Sequence, residues 1–436
     1  MPPTSNSIAD RLNQTLKNRT FRSLAHPNYR LYFFGQLVSF IGSWIQTTAL
    51  MWLVYELTND PGWPAYLLVA QVGPTLLVGP LGGSLADRFS KRRVILATQI
   101  AFMVNASLLA GLVGFGLVTP LLLLVMQAIG GLIQAIDLPT RLAVVTDLVP
   151  REDVVNAVGL NSLLFNSARA IGPALAGLIF LAASRFDGFG LPAQAGAFAC
   201  FALNAVSYLA VLRALARIEI PQSTTREASG GSFWDGFRYL ASRRELLALV
   251  GLTGLFCVFA WPILTLLPPY TRLVLGRAEG TYSVLLSAFG GGALVGALAM
   301  ATFGSIGRRG PFLLFGAATG GLGLLALQSA AQFAPAIVAC VLLGFGMVLY
   351  LSTGQSTLQT SVPNAVRGRA MAIWAMMLSA SSLPGHLIAG ELARNHPIPR
   401  VLLFMLAGVG VAILGLAALV ASGALGNRPA PDDDTV

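Results

Sequence analysis

Charge is what this chain has least of. Only 11% of its 436 residues are Asp, Glu, Lys or Arg, where a soluble domain carries roughly 25%. With 55% hydrophobic residues, that deficit argues against a water-soluble enzyme and reads as a polytopic membrane protein. Histidine and cysteine are scarce too, at three residues each. Cys200, Cys257 and Cys340 lie inside apolar runs without metal-ligand spacing, so they read as small core residues and no metal site is expected. The sequence holds no GxxxxGK[ST] phosphate loop, which removes ATP as a direct energy source. It holds no hydrolase or ligase constellation either, so neither a catalytic residue nor a cofactor is expected. No cleavable signal peptide is evident: the first 30 residues are polar and basic, and no short apolar segment ends in a small-residue cleavage site.

What is present is a series of apolar runs of membrane-spanning length, about 20 residues each. Twelve are predicted: 30–56, 63–86, 94–116, 120–144, 158–183, 192–213, 246–271, 281–303, 311–331, 333–357, 371–393 and 400–424. The fold class that follows is an all-α integral membrane protein, with twelve transmembrane helices in two pseudo-symmetric six-helix bundles. The expected divisions are an N-terminal tail (1–29), a first bundle (30–213), a linker (214–245), a second bundle (246–424) and a C-terminal tail (425–436). With the N-terminus inside, 22 of the 28 Lys and Arg residues fall in cytoplasmic segments and five in outer loops, while Arg169 lies within a span. This bias predicts that both termini are cytoplasmic in an inner-membrane protein. The net charge of +10 is dispersed through short loops without interleaved aromatics, so the expected contact is membrane lipid and not nucleic acid.

The linker contains a flexible polar stretch, PQSTTREASGGS, and then FWDGFRYLASRREL. There Phe233, Trp234, Phe237 and Leu240 recur at helical spacing, predicting an amphipathic interfacial helix that anchors and spaces the bundles. An internal repeat supports the two halves: a shift of 213 places Val149-Pro150 on Val362-Pro363, Ala157 on Ala370, Gly172 on Gly385 and Gly177 on Gly390. Glycine clusters such as Gly290-Gly291-Gly292 and Gly320-Gly321 sit within apolar runs and read as helix-packing faces.

Two motifs carry a family resemblance. Gly83-Ser84-Leu85-Ala86-Asp87-Arg88-Phe89-Ser90-Lys91-Arg92-Arg93 resembles the signature loop between spans two and three of the major facilitator superfamily. Asp87 would cap a helix or pair with a cation of a neighbouring helix, and the basic cluster would face anionic headgroups. The resemblance implies a gating loop (Gly83, Asp87, Arg88, Lys91, Arg92, Arg93) that latches the outward-facing state through charge pairs across the half-interface. In span five, Gly159, Gly172, Pro173 and Gly177, with Ala168 and Ala176 among them, are similar to the antiporter signature of that superfamily's exporters. Small residues there let spans five and eight touch, and Pro173 bends the helix. Segments such as His26-Pro27-Asn28-Tyr29-Arg30 and Asp137-Leu138-Pro139-Thr140-Arg141 resemble the enterobactin-exporter-like branch, the proposed third group of drug:proton antiporters. The charged loop expected in the second half is reduced to Gly304-Ser305-Ile306-Gly307-Arg308-Arg309, without an acid.

Few charges lie within spans, where each costs about 2.5–3.5 kcal/mol at the bilayer centre. Asp137, Arg169 and Glu391 are the candidates. Asp137 and Arg141 are spaced for an intrahelical pair, and Asp137 is equally a candidate proton-responsive carboxylate. Arg169 either holds a carboxylate on the Asp137 side or binds an anionic substrate. Gln46, Gln71, Gln134, Asn161, Asn166, Gln355 and His386 are candidate cavity residues, together suiting a bulky amphiphilic solute. The function expected is secondary active export of such a small molecule (drug, siderophore or related metabolite), coupled to protons by antiport and carried out by a monomer. Proton coupling here comes from the resemblance, since span one carries no carboxylate in its interior, only Gln36, Gln46, Thr47 and Thr48. An importer or uncoupled facilitator shares the architecture. A membrane-embedded enzyme or scaffold would need a catalytic constellation or a soluble domain, and the sequence supplies neither.

Overall fold

The structure, a computed structural model, describes residues 21–88, 90–185, 194–218, 233–303 and 309–423; the side chains of 80–88, 233, 364 and 365 lie outside that description. The described residues form helices without a strand. In chain order these are α1 (Pro27–Thr58), α2 (Trp63–Arg88), α3 (Lys91–Gly114), α4 (Pro120–Asp147), α5 (Val154–Ser184), α6 (Ala195–Arg217) and α7 (Phe233–Ser242). They continue with α8 (Arg244–Ala260), α9 (Ile263–Leu273), α10 (Glu279–Phe303), α11 (Arg309–Ser329), α12 (Phe333–Ser361), α13 (Asn364–Asn395) and α14 (Ile398–Ala421). Among the described residues, eleven spans are long and apolar enough to cross a membrane, counting α8 and α9 as one; α2 begins with a shorter apolar stretch, Trp63–Gly79. Large side chains such as Leu108, Leu121, Val206 and Leu414 are exposed on the outside of the bundle, as lipid-facing positions must be.

Helices α1 to α6 pack on one another, as do α8 to α14, and the two groups meet along two seams, α5 against α10 and α2 against α13. The repeat has a structural meaning at each pair of positions. A Cβ on Gly172 would overlap Trp44 of α1, and one on Gly385 would overlap the Val258 backbone of α8. Both are contacts within a half. A Cβ on Gly177 would sit 2.9 Å from the Ser283 Cβ of α10, and one on Gly390 would sit 3.0 Å from the Ala65 Cβ of α2. Both are contacts between halves. The glycine clusters are close-packing faces: a side chain on Gly292 or Gly344 would run into backbone across the α10–α12 contact, and one on Gly316 or Gly346 into backbone across α11–α12.

Some helices are longer than their apolar runs. α5 and α13 start at Val154 and Asn364, before the 158 and 371 expected, because Asn156, Arg367 and Arg369 extend the helix past its hydrophobic segment. Span seven is broken into α8 and α9 at Trp261-Pro262, since proline supplies no backbone N–H and its ring disfavours a continuous helix.

Helix α7 docks rather than lying free. Leu240 is buried with Val362, Ala370 and Trp374, and Asp235 pairs with Arg369 of α13 at 3.5 Å. Trp234 and Phe237 are exposed, so the apolar stripe divides between helix packing and an outward aromatic face. A segment before α1 is moored at the corresponding place in the first half. There Asp153 forms an ion pair with Arg22, Oδ1 to Nε 2.9 Å, and lies 2.7 Å from His26 Nε2. The Tyr29 hydroxyl donates to the Ala157 carbonyl at 2.8 Å.

Candidate functional site

A cavity of about 550 Å³ lies between the halves. Its polar wall comes almost entirely from the first half: Gln36, Ser39, Ser43, Gln46 and Thr47 of α1, Gln71 and Thr75 of α2, Gln99 and Asn105 of α3, Gln127, Gln134, Asp137 and Arg141 of α4, Arg169 of α5, and Asn204 and Tyr208 of α6. The second half adds Leu264, Thr265, Tyr282, Leu286 and Ser379.

Of the cavity candidates, Gln46, Gln71 and Gln134 line it, and Gln46 accepts from Asn204 Nδ2 at 2.7 Å. The other four do not. Asn166 donates back to Ser162 of its own helix at 2.9 Å, Gln355 is exposed and Asn161 half-buried. His386 is buried behind Thr265, its Nδ1 3.0 Å from that hydroxyl. Hydropathy could not sort these residues, because the face a mid-span amide presents depends on tertiary packing. Gln99, Asn105 and Gln127 were legible only as polar residues in apolar runs.

Asp137 is fully buried. Thr98 Oγ1 and Gln99 Nε2 each donate to its Oδ1 at 2.8 Å, and Arg141 Nη1 stands 3.5 Å from its Oδ2, one turn along α4. The Arg141 guanidinium lies over the Phe40 ring at 4.5 Å. Its Oδ1 is thus held by two neutral donors, while Oδ2 is buried without a hydrogen bond among the described residues and has only the Arg141 charge opposite it.

Arg169 departs from the expectation that it holds a carboxylate. Among the described residues it has no acidic partner, and its Nε is buried without a hydrogen-bond acceptor. Instead its guanidinium lies 5.3 Å from the Trp44 ring, 5.2 Å from Phe165 and 5.9 Å from Trp261. The break between α8 and α9 sets Trp261 there. Asp137 pairs instead with Arg141 on its own helix.

The signature glycines of α5 divide by depth. Gly172 packs on α1 and Gly177 on α10, while Gly159 has open space where a side chain would be. Gly159 precedes Gly177 by 18 residues, about five helical turns, so both are on the face that meets α10. Gly79 of α2 is likewise open, whereas Ala65 near the helix's other end touches Gly390. Among the described residues, both seams are therefore closed at the end bearing the α1–α2 loop and parted at the end bearing the α2–α3 loop. Pro173 is accommodated inside a helix that continues to Ser184.

At the open end, Gly83, Asp87 and Arg88 lie where side chains are outside the description. The rest of the basic loop is engaged within the first half: Lys91 Nζ is 2.6 Å from Asp147 Oδ2, and Arg92 donates to the Ala216 carbonyl in the last turn of α6 at 3.0 Å, a C-terminal helix cap. Arg93 is exposed. At the closed end sits a cluster that sequence reasoning missed. Arg394 of α13 grips Asp60 of the α1–α2 loop with two bonds, Nη2 to Oδ2 at 2.5 Å and Nε to Oδ1 at 2.8 Å. It also bonds Glu391 and the Tyr66 hydroxyl, and that hydroxyl bonds Glu391. Glu391 is exposed and lies one turn from the end of α13, paired with Arg394. The guanidinium beside Asp60 holds its carboxyl below the ordinary value of 3.8.

Eleven spans and one shorter apolar helix among the described residues, set around a polar cavity sealed at one end along two seams between halves, define a membrane transporter of the major facilitator kind. A model of the transmembrane secretion effector family matches residues 18–427, and the chain belongs to that family. It is 25% identical over 405 residues to the enterobactin exporter EntS of Shigella boydii, covering 91% of this chain and 92% of that one. It is 26% identical over 409 residues to the uncharacterized MFS-type transporter YfiS of Bacillus subtilis, covering 88% and 91%. A 151-residue stretch is 27% identical to the staphyloferrin A transporter of Staphylococcus aureus, covering 34% of this chain and 38% of that protein. Among solved structures, a bacterial homologue of the lysosomal transporter Spinster superposes with a TM-score of 0.69 at 16% identity, covering 93% of this chain and 98% of that one. The nucleoside transporter NupG gives 0.68 at 13%, covering 90% and 98%. These two likenesses concern the fold.

Proposed function

We propose that this transporter exports a bulky amphiphilic small molecule across the inner membrane by alternating access, with protons moving inward in exchange. The observation that carries the reading is the cavity's asymmetry: its seams are parted beside the basic α2–α3 loop and closed at the opposite end. With the basic loops cytoplasmic, as the positive charge bias directs, solute enters from the cytoplasm or inner leaflet. Rocking of the halves then closes the Gly159 end of the α5–α10 seam and parts the Gly177 end. The named exporters among the relatives favour outward transport, and a siderophore-like solute suits a large cavity with many amides and few charges.

Asp137 is the proton carrier in this proposal, being the one carboxylate among the described lining residues. Protonation removes its attraction for Arg141 and turns an acceptor into a donor beside Thr98 and Gln99. That change in a wall shared by α3 and α4 is the event to be coupled to closure. The test is efflux from vesicles under an imposed pH gradient. Efflux that ignores the gradient overturns antiport, and counterflow showing net uptake as the working direction overturns export.

A further inference from the structure

We infer that Arg169 is the anion-recognition group of the cavity, and that the solute carries one carboxylate on an aromatic or otherwise apolar body. The inference deepens the export proposal, on which it rests only in treating the cavity as a solute site. Four observations converge. The guanidinium lines the cavity, and its Nε is buried without a hydrogen-bond partner among the described residues. Trp44, Phe165 and Trp261 surround it; rings stabilise a cation through their faces but accept none of its N–H bonds in the way a carboxylate does. The remaining charges of the described wall, Asp137 and Arg141, pair with each other. The wall is therefore left with one positive charge beyond neutrality, and a charge so placed in a membrane span marks a functional site.

The chemistry of the solute follows from that surplus. A carboxylate accepts from a guanidinium through two parallel bonds, and one such group matches one surplus charge. A cationic amphiphile meets repulsion at the same place. A dianion would leave one charge unpaired in an apolar surround, which is strongly unfavourable. Trp44 and Phe165, lining the cavity beside Arg169, supply the contact for an apolar body next to its carboxylate. Trp261 comes from the second half, so recognition of the anion takes place where the halves meet.

The experiment is equilibrium binding of radiolabelled 1-naphthylacetate to the full-length protein in phosphatidylcholine nanodiscs, with empty nanodiscs subtracted. Its methyl ester and 1-naphthylmethylammonium are measured as competitors. The expected result is saturable binding of the anion, about tenfold to hundredfold tighter than either competitor, the range of a charge-assisted hydrogen bond. Arg169→Gln should abolish that preference while leaving the ester's affinity in place, and Arg169→Lys should keep part of it. Equal affinities for anion and ester, no saturable binding of the anion, or an unchanged preference in Arg169→Gln each overturns the inference. If Arg169→Gln does not fold, the wild-type ranking decides alone. Loss of naphthylacetate binding when phosphatidylglycerol is added assigns the guanidinium to a lipid headgroup and overturns the solute reading. No gradient or transport step enters the measurement, so it fails or succeeds independently of export and of proton coupling.

Discussion

The Asp60–Arg394 clamp holds the closed end together across more than 330 residues of sequence, and replacing Arg394 with Gln tests whether it sets the balance between closed and open. The pair is two-pronged, at 2.5 and 2.8 Å, with side-chain exposures of 32% and 26%. Exposed pairs contribute about 0.2–1 kcal/mol, and bidentate geometry puts this one near the upper figure. Losing about 1 kcal/mol from the closed state raises the open fraction roughly fivefold. Ala65, 1% exposed and in contact with Gly390, reports that fraction once replaced by Cys. The native thiols Cys200, Cys257 and Cys340 are buried, so a membrane-impermeant maleimide should read the introduced one. The labelling rate should rise about fivefold in Arg394→Gln, and raising the salt concentration should shrink the difference. An unchanged rate would show that the seams alone close this end. The pH dependence has a definite sign. Because the Asp60 carboxyl is depressed below 3.8, the clamp's contribution is fully present above that value. It is lost only as pH falls through the lower value in the closed state. The ratio of labelling rates between Arg394→Gln and the parent should accordingly be flat from pH 8 to pH 5, the falling thiolate fraction slowing both alike.

Three further outcomes follow from the geometry. Either Asp137→Asn or Arg141→Gln alone should lower thermal stability in detergent by more than the double substitution does, since removing one partner strands the other charge; additive losses would show that the two side chains are not coupled. Gly290→Ala places a Cβ 2.5 Å from the Arg169 carbonyl oxygen and 2.7 Å from the Ala170 Cα, so it should destabilise by about 1–3 kcal/mol in a denaturation series; neutrality there would contradict the close α5–α10 contact. Gly159→Leu meets open space in this conformation, so stability should change by less than about 0.5 kcal/mol while transport falls, because the same face must close in the other half of the cycle. Full transport by Gly159→Leu would rule out that closure.

The spans were legible in the sequence because hydrophobic length is a one-dimensional property. So was the glycine repeat, since Gly172 and Gly385 recur at a fixed shift. Which partner each glycine meets was not legible: one expectation had the span-five signature touching span eight, whereas Gly172 packs on α1 and, of the signature glycines, Gly177 alone touches α10 among the described residues. The site was read in part. Asp137 and Arg141 announced themselves by spacing on one helix, but Thr98 and Gln99, which donate to the carboxylate's Oδ1, come from a different one. The aromatic surround of Arg169 is assembled from α1, α5 and the break in span seven, three places no local pattern joins. The Asp60–Arg394 clamp was hidden for the same reason, its two members being ordinary loop and helix-end charges until the fold brings them together.

Helices α5 and α13 each carry a contact within a half and a contact between halves five residues apart, about 7.5 Å along the axis. Under the rocking cycle proposed here, Gly172 and Gly385 keep their partners while Gly177 and Gly390 lose theirs. Each helix then works as a short lever, with its fulcrum one and a half turns from the point that lifts. A small rotation about Gly172 suffices to unseat Gly177, whereas Gly159, on the long arm, must sweep roughly two and a half times as far to meet α10.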